Sequence, residues 1–323
     1  MERFIHHALD VRHTDEGIVP LRFSKEQMAF FERTRYKFRS YNAAGICLAF
    51  RTDSPFLRLS CRLTVKPGTE ERVIFDIYVD EALVACPGQT VAGTGSADWK
   101  VPLPVERGRP RQVTVYLPYS AQVELRELSV AEGAVWEQVE PKPRNLLCVG
   151  DSITQGMNAV HPSSAYPVQL SRSLNMNLLN QAVSGYVFDA CTIDPSMGYK
   201  PDLITVAYGT NDWSECRSLE QFEERAGAYI RKLAGIYPQV PIAVLSPIWR
   251  EDHRETKHTG PFAGIGRTIE QLCGVHDNIR FVDGFPAVPH QPDFYADGLH
   301  PNDAGLLHYA MYLTKRLKEL VRE

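Results

Sequence analysis

The 323-residue chain has no run approaching eighteen uninterrupted apolar residues, which argues against a membrane-spanning helix. Its opening, Met1-Glu2-Arg3-Phe4-Ile5-His6-His7, has no apolar centre of the kind a secretory signal needs, so a cytoplasmic location is expected. Positive charge is not in excess either. Against 35 Lys and Arg stand 39 Asp and Glu, a net charge of -4, which gives no broad field for nucleic acid or an anionic membrane. The seven cysteines include no C-x-x-C pair and are too sparse for a disulfide scaffold, so free thiols are expected. With 44% apolar and 23% charged residues, nothing suggests a disordered chain.

What is present falls into two parts. From about Tyr41 to Val130 apolar residues alternate as strands require: Val73, Phe75, Ile77 and Val79 on one side, Ile74, Asp76, Tyr78 and Asp80 on the other. Asp80-Glu81 interrupts the pattern before Ala82 to Cys86, and Pro87-Gly88 ends it, which predicts a hairpin. Val113, Val115, Leu117, Val123 and Leu125 continue the alternation, and the phase slip to Leu128 and Val130 predicts a β-bulge. Residues 1–140 are therefore expected to form an all-β, jelly-roll-like sandwich.

The two prolines of Glu140-Pro141-Lys142-Pro143 favour an extended connector, and the boundary is placed there. In residues 141–323 apolar runs recur at Leu146 to Val149, Leu178 to Leu179, Leu203 to Ala207, Ile242 to Leu245 and Ile279 to Val282. They read as buried parallel strands. Between them lie helical patterns, such as Ser218 and Gln221 as a capping box ahead of Phe222, Ala226, Ile230 and Leu233. This is the alternation of a three-layer α/β fold, closed by a last helix from Ala304 to Leu320.

The first of these strands runs into Gly150-Asp151-Ser152-Ile153-Thr154-Gln155-Gly156, placing a hydroxyl at the carboxyl edge of the sheet, where ligands of such folds bind. Serine there either caps the following helix or serves as a nucleophile beside free N–H groups. The Gly-x-Ser-x-Gly elbow of α/β-hydrolases is not matched, because position 154 is threonine. A nucleophilic serine needs a base and a group to orient it. Tyr295-Ala296-Asp297-Gly298-Leu299-His300-Pro301 supplies both: one backbone turn brings Asp297 to the His300 imidazole, ahead of the last helix. Donors for an oxyanion are available after the second strand at Gly185 and after the third at Asn211, although Gly185 also suits a plain turn and Asn211-Asp212 an Asx-turn.

Serine, glycine, asparagine and histidine in this order resemble the four blocks of the SGNH (GDSL-like) hydrolases, over roughly Arg144 to Leu320. The resemblance implies an SGNH/flavodoxin-like parallel sheet. It also implies Ser152 as nucleophile, His300 as base and Asp297 as orienting acid. The oxyanion hole would then be the Ser152 and Gly185 N–H groups with the Asn211 amide, and no cofactor or metal is implied. One departure is Ala182 between Asn180 and Gly185, where many relatives have an additional glycine. A β-sandwich ahead of such a unit resembles family 2 carbohydrate esterases, so the expected activity is hydrolysis of short acyl, chiefly acetyl, esters of carbohydrates. The competing readings are an arylesterase, thioesterase or lysophospholipase, and a non-catalytic carbohydrate-binding protein. Trp213 and Trp249 each follow a strand end, as pocket walls or as core.

Overall fold

The structure is a computed structural model that describes residues 1–321. Two antiparallel sheets face each other in the N-terminal part. One contains Ile5–His6, Cys47–Thr52, Arg111–Tyr116, Asp76–Val79 and Ala82–Ala85, with Trp136–Gln138 also paired to Cys47–Thr52. The other runs Thr94–Pro102, Phe56–Thr64, Gln122–Val130, Ile18–Leu21, Asp10–His13. Alternation builds the core between them: Leu57, Leu59, Cys61 and Leu63 from one sheet meet Leu48, Phe50, Val113 and Val115 from the other. The hairpin at Asp80-Glu81 is present, and the register slips between Leu125 and Glu127, where the sequence phase slips.

The second part holds five parallel strands: Asn145–Gly150, Asn177–Ala182, Leu203–Ala207, Ile242–Leu245 and Ile279–Val282. Counted along the chain their order across the sheet is 2-1-3-4-5, the flavodoxin-like arrangement, with the switch point beside the first strand. The first four strands are buried on both faces, while the edge strand Ile279–Val282 leaves Arg280 exposed. Leu146, Cys148, Leu178 and Leu203 pack under helices Tyr166–Ser173 and Asp303–Leu317, whereas Leu147, Val149, Leu179 and Ile204 pack under Leu219–Ile236 and Phe262–Cys273. Among the described residues no helix is long and apolar enough to cross a membrane.

One stretch departs from the expected all-β character of residues 1–140. Lys25–Phe31 and Lys37–Ser40 are helical, the first opened by a complete capping box between Ser24 and Gln27. Their apolar residues, Phe23, Met28, Phe31 and Tyr36, join the core under the parallel sheet rather than the sandwich core. A seven-residue helix is too short to show a period in sequence; its neighbours in space decide its state.

Arg22 fixes this stretch in place. It has no exposed surface, and its partners are carbonyl oxygens: Asn42 from Nε, Asn180 and Ala182 from Nη1, and Arg39 from Nη2, at 2.5 to 3.1 Å. Burial pulls the guanidinium pKa down to about 9, which leaves it charged at neutral pH. Arg22→Met is expected to strand four buried acceptors and to lower stability by about 3 kcal/mol or more, read by urea unfolding. A loss under about 1 kcal/mol would contradict this role.

Candidate active site

The first parallel strand ends at Gly150, where any Cβ would lie 2.1 Å from the Thr154 hydroxyl and 2.8 Å from the Ala207 carbonyl. Only glycine lets the chain turn so sharply into the short helix Ser152–Gln155. Asp151 caps that helix through the Ile153 N–H, and Gly156 ends it in the left-handed region. Ser152 is thus held at the carboxyl edge of the sheet, 4% exposed.

The second partner is built by its own backbone. The N–H groups of Leu299 and His300 both donate to Asp297 Oδ1, at 3.0 and 2.7 Å, closing the turn that sequence spacing suggests. Gly298 sits in the left-handed region at this turn, with the Glu251 side chain where a Cβ would be. Asp297 Oδ2 then accepts from His300 Nδ1 at 2.7 Å. With Nδ1–H donating there, Nε2 is left to accept, and the Ser152 hydroxyl lies 2.8 Å away. Burial pushes the Asp297 carboxyl up, but hydrogen bonds from the His300 N–H and ring, together with the His300 charge, outweigh it and hold the group below its usual range. Asp297 is thereby kept ionised beside the imidazole.

The structure also gathers the expected anion donors onto adjoining loops. Among the described residues neither the Ser152 nor the Gly185 N–H has an acceptor, and one Asn211 amide hydrogen goes to the Tyr186 carbonyl at 3.0 Å, leaving the other. Gln155 accepts from the Ser184 N–H at 2.7 Å, tying the serine helix to the second loop. Asp212 accepts from Phe188 N–H and Gly209 N–H, tying the second loop to the third. At the departure from the family pattern, Asn180 holds Ala182 N–H and the Thr154 carbonyl, so the loop is laced without the extra glycine.

Several residues around this site carry no sequence signal. Tyr36 donates to the Gly185 carbonyl at 3.1 Å and Arg39 to the Ser184 carbonyl at 2.6 Å, so residues far upstream orient the loop that presents the Gly185 N–H. Asn158, itself in the left-handed region, donates to Asp297 Oδ2 at 3.1 Å, and its own N–H is held by the Tyr119 hydroxyl of the sandwich. Gln155 and Asn158 lie close after Ser152, and their polarity near a glycine turn was the one available clue. Trp213 has no exposed surface and donates to the Gly260 carbonyl: it is core. Trp249 packs among Tyr295, His253 and His290.

Two further carboxyls, Asp151 beside the serine and Asp212 on the third loop, are buried. Burial, above all, raises Asp151 to about 7, with the charge of Asp212 adding to it; Asp212 is raised for the same primary reason. A carboxyl raised in this way holds its proton more tightly folded than unfolded. Its favourable contribution is complete below the ordinary aspartate value of 3.8 and is lost as pH rises through about 7. Asp151→Asn, which keeps an acceptor for Ile153, should therefore be more stable than the parent at pH 8 and should lose part of the decline between about pH 4 and 7. Equal unfolding free energies at pH 8 would contradict a buried charge at this position.

The profile of the GDSL-like lipase/acylhydrolase family matches residues 148–306. No curated protein sequence matches the chain. Among solved structures, a salicylyl-acyltransferase from a tetracycline biosynthetic pathway is similar with a TM-score of 0.81 at 22% identity, over 98% of this chain and 94% of that one. A family two carbohydrate esterase from Clostridium thermocellum, in complex with cellohexaose, is similar at 0.69 and 14% identity, over 98% of each chain. An acetyl xylan esterase from the rumen bacterium Butyrivibrio proteoclasticus is similar at 0.63 and 13% identity, over 95% of this chain and 96% of that one. These likenesses span both parts of the fold. Residues 148–306 thus carry a GDSL-like lipase/acylhydrolase domain, which supports a carboxylic ester hydrolase.

Proposed function

We propose that the chain hydrolyses short-chain, chiefly acetyl, esters of carbohydrates by a serine mechanism, with Ser152 as nucleophile, His300 as base and Asp297 as orienting acid. The observation that carries this reading is the unbroken hydrogen-bond chain from Asp297 through His300 to the Ser152 hydroxyl. The imidazole takes the serine proton as Oγ bonds to the ester carbonyl carbon. The Ser152 and Gly185 N–H groups and the Asn211 amide meet the negative charge that develops on the carbonyl oxygen. Collapse breaks the ester C–O bond, His300 protonates the departing alcohol, and water then releases the acid by the same steps in reverse.

The chain divides in this reading into residues 1–140 and 141–323, with residues 22–41 belonging to the first in sequence and packed on the second. The carbohydrate part of the proposal draws on the family two carbohydrate esterase and the acetyl xylan esterase among the structural neighbours. The salicylyl-acyltransferase neighbour favours a second reading, in which an aryl acyl group is handled through the same serine ester.

Ser152→Ala should abolish hydrolysis of p-nitrophenyl acetate with an unchanged circular-dichroism spectrum, and Asp297→Asn should retain more activity than His300→Ala; full activity in Ser152→Ala would sink the mechanism. A series from acetyl to octanoyl and benzoyl esters, run beside acetate release from acetylated xylo-oligosaccharides, tests the substrate. Preference for acetyl with release from the oligosaccharide is expected, whereas preference for octanoyl or benzoyl replaces this reading with a lipase-like or aryl-acyl one.

A further inference from the structure

A second cluster of reactive side chains lies away from the serine, where the sandwich meets the α/β part. Asp76 comes from the sandwich strand Asp76–Val79 and has no exposed surface. Cys86 follows the neighbouring strand Ala82–Ala85 and is an exposed free thiol. His161 approaches from the other part of the molecule, just before the short turn Pro162–Ser164. Its Nδ1 lies 2.8 Å from Asp76 Oδ1 and 3.7 Å from Cys86 Sγ, and the three candidate ligand atoms all lie within 4.8 Å of one another.

The geometry distinguishes two uses of such a trio. A Cys-His-Asp proton relay needs the thiol on one ring nitrogen and the carboxylate on the other. Here both face Nδ1, so no relay can run through the ring. Convergence of three donors on one point is instead what a cation requires. Around a tetrahedral zinc, with bonds of about 2.1 Å to nitrogen or oxygen and 2.3 Å to sulfur, neighbouring ligand atoms stand about 3.3 to 3.6 Å apart. The Nδ1 to Sγ separation already fits, and the Nδ1 to Oδ1 separation has to open by about 0.6 Å.

The surroundings are consistent with that use. Asp76 Oδ2 accepts from the Ser163 N–H at 3.0 Å and hydroxyl at 2.6 Å, which fixes the carboxylate and turns Oδ1 to the cluster. Sulfur, imidazole and carboxylate together suit zinc, whereas magnesium and calcium prefer oxygen alone.

We propose that Asp76, Cys86 and His161 form a zinc site with three protein ligands and a fourth position open to solvent, clasping the sandwich to the loop 157–164. On binding, the Nδ1 hydrogen of neutral His161 is relocated to Nε2 and the thiol proton is released to solvent, one proton per ion. The clasped loop also carries Asn158, the residue that bonds Asp297.

The test is titration of the chelator-treated chain with Co²⁺ and then Zn²⁺. One cobalt per chain is expected, with a near-ultraviolet thiolate charge-transfer band and the visible bands of a four-coordinate ion, displaced by zinc. Affinity should rise about tenfold per pH unit between about pH 7 and 8.5. Cys86→Ala should lose the charge-transfer band, and His161→Gln should weaken binding by about tenfold or more. Zinc should raise the thermal midpoint of the parent and leave that of Cys86→Ala unchanged, and a metal-free Cys86→Ala midpoint equal to that of the metal-free parent shows that the exposed substitution leaves the fold intact. Binding to the parent no tighter than to Cys86→Ala, or a cobalt spectrum without the thiolate band, overturns the site.

Discussion

The arrangement depends on how one buried cation is satisfied. Arg22 carries a positive charge into the interior and finds four carbonyl oxygens there, two of them on the second parallel strand and its end. A buried guanidinium without such partners would cost several kcal/mol, so the N-terminal stretch and the parallel sheet cannot separate without exposing both. From that anchor the adjacent residues reach the loop after the second strand: Arg39 at the Ser184 carbonyl and Tyr36 at the Gly185 carbonyl. With its carbonyls engaged on one side, the loop can turn the Gly185 N–H to the other.

The serine itself is positioned by constraints of a different kind, local and steric. Gly150 allows the strand to pass against the Thr154 side chain, Asp151 caps the short helix, and Gly156 ends it. His300 is oriented by a turn whose two N–H groups bond the same carboxylate that then holds its ring. Ser152 and His300 meet through a hydrogen bond of 2.8 Å, and Asn158 with Tyr119 extends the contact from Asp297 to the sandwich. The β-sandwich thus reaches the surroundings of the serine through the Tyr119 hydroxyl and the strand-to-loop contacts at Asp76.

The sandwich and the α/β part are joined by polar contacts at several points. Besides Arg22, these include Asp76 with His161 and Ser163, Tyr78 with Ser163, and Gln155 with the Tyr119 carbonyl. Surface pairs such as Arg172 with Glu81 add little, since exposed ion pairs contribute at most about 1 kcal/mol. The buried contacts set the relative placement of the two parts because their geometry leaves few alternatives once the groups are out of water.

Much of this was legible along the chain because its causes are local. Period-two alternation located the sandwich strands and the slip at Leu125, apolar runs located the five parallel strands, and the spacing of Asp297 to His300 gave a turn that backbone N–H groups complete. Ser152, Gly185, Asn211, Asp297 and His300 could be singled out as candidates because they lie at strand-to-helix turns or on the loop before the last helix, in the order that resembles the SGNH blocks. What the sequence could not determine was every relation that joins distant segments. The helices at 25–40 are too short to announce themselves. The roles of Arg22, Tyr36 and Arg39 depend on carbonyls some 145 to 160 positions later, and the meeting of Asp76, Cys86 and His161 depends on how two parts dock. Local propensity carries no information about such pairs; only the packing of the whole chain brings them within bonding distance.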